Sequence, residues 1–239
     1  MQPEIVHQLL ALNHQFYQTF AQDFSDTRQR IQPGVESILE MIQPSAKLLD
    51  LGCGNGALAG RLYQNGHTGA YVGVDSSKDL VEIAQKRNLP NAQFMWGDIT
   101  TPDLGSDLPG TPFDFVFCFA VLHHIPGVEL RIQLLEKVHA LLAPKGRFIL
   151  SNWQFLESPR LRARIQPWTT IDLSDTDVDA GDYLMDWWRG GKGLRYVHHF
   201  SGSELQSLAV KTGFRVCGLF TSDGEEGKLG LYQIWEVKG

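Results

Sequence analysis

Apolar residues recur at helical spacing near the start of the chain. Ile5, Leu9, Leu12, Phe16, Phe20 and Phe24 predict one amphipathic helix over residues 3–24. A second helix is expected from Pro33 to Ile42, opened by Pro33-Gly34 and ended by Pro44. Short apolar runs then alternate with amphipathic stretches. Strands are expected over 47–52, 70–75, 92–96, 113–118, 146–152, 214–221 and 229–237, and helices over 57–65, 78–87, 130–142 and 203–212. This alternation predicts an α/β fold, a doubly wound and mainly parallel sheet of seven strands with helices on both faces. Ligands of such sheets bind at the carboxyl ends of the strands, where the strand order reverses. Residues 152–200 break the rhythm and carry Trp153, Trp168, Trp187 and Trp188. That stretch is too aromatic for a linker and reads as an inserted cap. One domain is therefore expected over 1–239: N-terminal helices (1–45), a ligand-binding core (46–152), the cap (153–201) and a C-terminal helix with the last strands (202–239).

Composition narrows the classes. With 43% apolar and 20% charged residues, the 239-residue chain can bury one sizeable core. A formal net charge of −6 argues against coating DNA or RNA by bulk charge, though it leaves room for a local basic face. Cys53, Cys118 and Cys217 are odd in number and far apart, with neither zinc nor disulfide spacing, which suits a reducing cytoplasm. The first residues carry neither a basic segment nor an apolar signal core, and no apolar run is long enough to span a bilayer. A cytoplasmic chain away from membranes is expected.

The densest chemistry lies in Asp50-Leu51-Gly52-Cys53-Gly54-Asn55-Gly56. A buried strand ends in an acid, and glycines at every second position form a tight turn before a helix opening at Ala57. Glycine permits the dihedrals and lets a ligand lie against bare backbone. The helix start offers free N–H groups, which suit a carboxylate-bearing ligand. Asp75, at the end of the second strand and followed by Ser76, stands about 20 residues on, the spacing of a ribose-binding acid; a helix N-cap is the other reading. Asp98 and Ile99 follow the third strand, where Asp98 reads either as a ligand contact or as an Asx turn before Pro102. Phe119 and Ala120 end the fourth strand, and His123-His124 leave it where a second reactant would approach. An ordinary helix-start or interface role suits either histidine as well. Adjacent histidines without a carboxylate cluster do not suggest a metal.

The glycine turn with Asp50, Asp75, Asp98-Ile99 and the turn Leu141-Leu142-Ala143-Pro144-Lys145-Gly146 resembles the motif series of class I S-adenosylmethionine-dependent methyltransferases. That resemblance implies S-adenosylmethionine as cofactor and S-adenosylhomocysteine as product. The ribose falls at Asp75, the adenine at Asp98 and Ile99, and the methionine end along Asp50 to Gly56 and Phe119-Ala120. The spacing Gly52-Gly54-Gly56 differs from that of dinucleotide-binding dehydrogenases.

Further segments narrow the resemblance. Tyr17, Ala21, Phe24-Ser25-x-Thr27-Arg28 and Pro33, the pair His123-His124, and Arg195-Tyr196-Val197-His198-His199-Phe200 with Glu204-Leu205 resemble the tRNA wobble-uridine carboxymethyl methyltransferases. That family includes the methyltransferase domain fused to an AlkB-like oxygenase. The resemblance implies a carboxymethyl-modified tRNA uridine as acceptor, and a small activating protein as a candidate partner. Val197 departs from an aromatic of that family, an Asn-Trp pair is missing near the last strand, and the Trp-rich insertion differs.

Arg28 can clamp a carboxylate of cofactor or acceptor, or pair with Asp23 or Asp26. Tyr17 reads as a lid on the methionine end or as a core aromatic. Arg195 and His198 are candidates for an acceptor phosphate or carboxylate, or for its rim. Arg160, Arg162 and Arg164 read as a phosphate contact or as a solvated helix face. A carboxylate acceptor needs no base, whereas a hydroxyl or protonated amine would call on His123, His124 or His198. A small-metabolite methyltransferase capped by the insertion, and a non-catalytic binding module, are the competing expectations.

Overall fold

The computed structural model describes residues 1–27, 30–101, 104 and 108–238. The main sheet has seven strands: β1 (Leu48–Leu51), β2 (Tyr71–Asp75), β3 (Ala92–Trp96), β4 (Phe113–Phe119), β5 (Leu142–Trp153), β9 (Phe214–Ser222) and β10 (Gly230–Val237). Its order is β3-β2-β1-β4-β5-β10-β9, with β10 antiparallel to both neighbours. The order reverses between β1 and β4, and both strands end at the same edge of the sheet. That crevice is where ligands of doubly wound sheets bind.

Alternation along the strands sends side chains into two cores. Leu49, Leu51, Val72 and Val116 pack beneath α6 (Val128–Leu141) and α8 (Gly202–Lys211). On the other face, Leu48, Tyr71 and Phe117 meet α3 (Pro33–Leu39), α4 (Ala57–Gln64) and α5 (Lys78–Gln85). The class expected from the sequence is the one observed.

Three boundaries differ. The first helix is two, α1 (Pro3–Thr19) and α2 (Ala21–Thr27), because Phe20 leaves helical geometry at φ −110°, ψ 18°. No Gly or Pro marks that break. Phe20 instead packs beside Phe16 and Trp187, and α2 turns toward α5. The helix from Pro33 stops at Leu39. Strand β5 begins at Leu142, four residues before the expected start, because the Pro-Lys-Gly turn is taken up as an irregularity in the ladder with β4. Exposed Lys145 has φ 65°, the conformation a glycine would hold most easily.

The insertion carries its own antiparallel sheet, β6 (Ile165–Gln166), β7 (Asp182–Trp187) and β8 (Gly193–His198), after the one-turn helix α7 (Pro159–Arg162). Strand β8 packs on α1, and Leu9, Trp168, Leu184 and Tyr196 form a core between them. Among the described residues no helix is long and apolar enough to cross a membrane.

Candidate active site

The turn after β1 has Gly52, Gly54 and Gly56 at φ 77°, 53° and 71°. The three serve different ends. A Cβ on Gly52 would strike Val121 at 2.3 Å, and one on Gly56 would strike Ala84 at 2.9 Å. A Cβ on Gly54 would meet nothing within 4 Å, because Gly54 floors an open cavity of about 450 Å³. Gly56 itself lies under the start of α4, outside the cavity wall.

Asp75 faces the turn from β2. Its Oδ2 accepts from Gly54 N–H at 2.8 Å and its Oδ1 from Ser77 N–H at 2.9 Å. The cap of α5 is Ser77, whose hydroxyl accepts from Leu80 N–H. Burial raises the Asp75 pKa against those two donors. Asp50, behind the turn, is buried and accepts a hydrogen bond from the Tyr71 hydroxyl. Burial pushes its pKa up to about 7, with Tyr71 pulling down and Asp75 pushing up. Asn55 ties the turn to α2, donating to Ser25 Oγ at 2.9 Å and accepting from Ala57 N–H at 3.1 Å. Cys53 and Ser76 also line the cavity.

Asp98 and Ile99 line the end nearest β3. Asp98 makes the Asx turn as well, accepting from Thr100 N–H at 2.8 Å. Phe119 and Ala120 form the wall at the end of β4, where Ala120 has φ 57° and its N–H is held by Ser151.

The opposite end is built by α1, β5, β8 and the 3-10 turn Leu122–His124. His124 Nδ1 lies 3.1 Å from the Tyr196 carbonyl, which can only accept, so Nδ1 carries the proton. Nε2 shares a 2.7 Å hydrogen bond with the Tyr17 hydroxyl. Asn13, unflagged by the sequence, clamps the same edge by bonding both the N–H and the carbonyl of Tyr196. His123 is buried and accepts from Trp153 N–H at 3.4 Å.

Arg195 is 5% exposed and lines the cavity. Its guanidinium lies 5.0, 5.2 and 5.7 Å from the rings of Trp153, Phe16 and Trp187. Nη1 reaches the Tyr17 hydroxyl at 3.5 Å, and Nε has no partner. Among the described residues no carboxylate lies within ion-pair distance of it. The neighbouring Asn152 is buried with both amide atoms unpartnered. Nothing in its sequence context sets it apart.

His198, expected at the acceptor, is held away from the cavity. Its Nδ1 meets Asp182 at 2.6 Å and its Nε2 meets Glu204 at 2.9 Å, within a buried cluster that includes Arg131. Burial disfavours its charge, but the two carboxylates outweigh it and raise the pKa. Arg28 lies outside the described residues. Arg160 and Arg162 are exposed on α7, away from the cavity, and Arg164 follows half-exposed. Among the described residues no group of three or more His, Cys, Asp or Glu is placed to hold a metal.

A family model described as a methyltransferase domain matches residues 22–218. An uncharacterized methyltransferase of Synechocystis is 36% identical over 179 residues, 71% of this chain and 77% of that one. The tRNA (carboxymethyluridine(34)-5-O)-methyltransferase of Schizosaccharomyces pombe is 33% identical over 142 residues, 59% of this chain. That match spans 56% of the Schizosaccharomyces pombe protein, just over half its length. A solved SAM-dependent methyltransferase from Methanosarcina mazei superposes with a TM-score of 0.66 at 21% identity, covering 87% of this chain and 98% of that one.

Proposed function

From a chain that belongs to the methyltransferase-domain family and uses S-adenosylmethionine, we propose an enzyme that methylates the oxygen of a carboxylate, its favoured acceptor a carboxymethyl-modified tRNA uridine. The observation that carries this reading is Arg195. A cation buried without a counter-ion is costly, and an anionic ligand removes that cost. Arg195 stands at the end of the cavity away from Asp75 and Asp98, the end left for the second reactant.

The residues fit the cofactor. The floor at Gly54 is open, and Asp75 and Asp98 are two acceptors for ribose and adenine. Phe119 and Ala120 would flank the methionine end. S-adenosylmethionine supplies a methyl group on a cationic sulfur, which leaves as a neutral thioether.

The protein's task is alignment. A carboxylate is ionised at neutral pH, so its oxygen attacks the methyl carbon without losing a proton. Arg195 would orient it by paired hydrogen bonds, and the Tyr17–His124 pair would fix the wall beside it. His123 and His124 need carry no proton in this reaction. His198 would act at a distance by holding β8, and Arg28 remains a candidate clamp on either reactant.

The tRNA acceptor is supported by the Phe24-Ser25-x-Thr27-Arg28 and Arg195-Tyr196 segments and by the relative from Schizosaccharomyces pombe. The family resemblance also brings in a small activating protein as partner. The net charge of −6 favours the other reading, a small carboxylic acid enclosed by the insertion. Incubation of extract with methyl-labelled S-adenosylmethionine, with RNA and small molecules separated afterwards, tests both. Alkali-labile label in tRNA supports the first. Label confined to small molecules moves the assignment to the second.

A further inference from the structure

Behind Arg195 lies a second cavity, of about 480 Å³, between α1 and the inserted sheet. The rings of Phe16 and Trp187, 5.7 Å apart, line it and also flank the Arg195 guanidinium. Its outer lip is Trp188, which is 57% exposed. Indoles seldom stand this free of cover. The Trp188 ring is held in place, its Nε1 donating to Asp186 at 2.7 Å, and Lys192 sits 4.9 Å above it.

The charges at this lip are mixed: Asp186 lines the groove and the Asp23 carboxylate lies against Gly190. Arg189 and Lys192 are exposed beside Trp188, and Arg160 and Arg162 are exposed on α7, just before the strand whose Gln166 lines the groove. Among the described residues none of these four pairs with an acid. Unpaired surface cations next to a rigid, exposed aromatic face are what a single nucleic-acid strand binds: phosphates to the cations and a base flat on the ring.

We propose that this groove is an RNA-binding subsite in which Trp188 stacks a base flanking the methylated nucleotide and Lys192 meets its phosphate. The proposal rests on the tRNA reading of the main cavity. It assigns the insertion a role beyond covering the acceptor, because one layer of rings separates this subsite from Arg195.

The test uses the full chain with S-adenosylhomocysteine bound and a synthetic RNA hairpin whose loop carries 5-carboxymethyluridine. Fluorescence anisotropy should show Trp188→Ala weakening hairpin affinity about 10- to 100-fold, the scale of one stacked base. Removing the base next to the modified nucleotide should weaken the wild type similarly and the variant hardly at all. Lys192→Gln should reduce the salt dependence of log Kd by about one phosphate contact. Melting temperature and S-adenosylhomocysteine affinity report that each variant is folded. Wild-type affinity in Trp188→Ala overturns the subsite, as does a wild-type dimer that this substitution dissolves. The two readings fail separately. A hairpin bound through Trp188 but never methylated removes the acceptor assignment alone, and a methylated hairpin indifferent to Trp188 removes the groove alone.

Discussion

The Tyr17 hydroxyl and Nε2 of His124 share a 2.7 Å hydrogen bond, joining the first helix of the chain to the exit of β4. Nδ1 of the same ring donates to the Tyr196 carbonyl, so the imidazole is fixed between α1 and β8.

Tyr17→Phe should therefore leave the fold intact and loosen the wall beside Arg195. Turnover should fall about tenfold, the effect of one hydrogen bond to a fixed site, with cofactor affinity unchanged. Steady-state kinetics on the identified acceptor, together with titration by S-adenosylhomocysteine, check this. Equal losses in both would place Tyr17 on the cofactor instead.

The main sheet was legible because each strand carries its own apolar run and each turn its own glycine, proline or acid. The glycine turn, Asp75 and Asp98 were legible for the same reason: their spacing is local. What escaped depends on distant segments. The break at Phe20 has no local breaker and follows from packing on Trp187. Asn13 looks like any polar residue on α1 until β8 arrives 183 positions later. His198 read as a site residue from its neighbours in sequence, yet Asp182 and Glu204 hold both its ring nitrogens.

Asp50 makes stability fall as pH rises. Its folded pKa of about 7 lies above the ordinary carboxyl value of 3.8, so the native state binds its proton more tightly than the unfolded chain does. The contribution is fully present below pH 4 and is lost progressively as pH rises to about 7. Asp50→Asn should flatten this slope, by up to roughly 4 kcal/mol between pH 4 and 8 if the full shift is expressed. Urea unfolding at several pH values measures it. Parallel curves for the two proteins would show that Asp50 stays ionised throughout.

Asn152 is buried in the wall of the main cavity with both amide atoms unpartnered by protein groups, so the protein itself returns nothing for their desolvation. Asn152→Leu, nearly isosteric, should raise stability by about 1 kcal/mol. Thermal unfolding would show this as a higher midpoint. A lower midpoint would mean that the amide is satisfied in solution and holds the end of β5.

Arg195 combines the same logic with the chemistry. Its charge is surrounded by three aromatic rings and faces no carboxylate among the described residues, so the apo protein bears the cost of holding it. Arg195→Met keeps most of the packing and removes the charge. It should unfold no more easily than the wild type, and exchange of a buried unpaired charge for an apolar chain can stabilise by about 1 kcal/mol or more. Against a carboxylate acceptor it should lose at least 100-fold in kcat/KM, the scale of a charge-assisted bidentate contact. Arg195→Lys should recover little, because an ammonium lacks the paired planar donors. Unfolding curves and kinetics measured on the same preparations decide between a structural and a ligand-binding arginine. A Met variant that unfolds early and loses activity in proportion is structural, whereas one that is stable and inactive has lost only its grip on the anion.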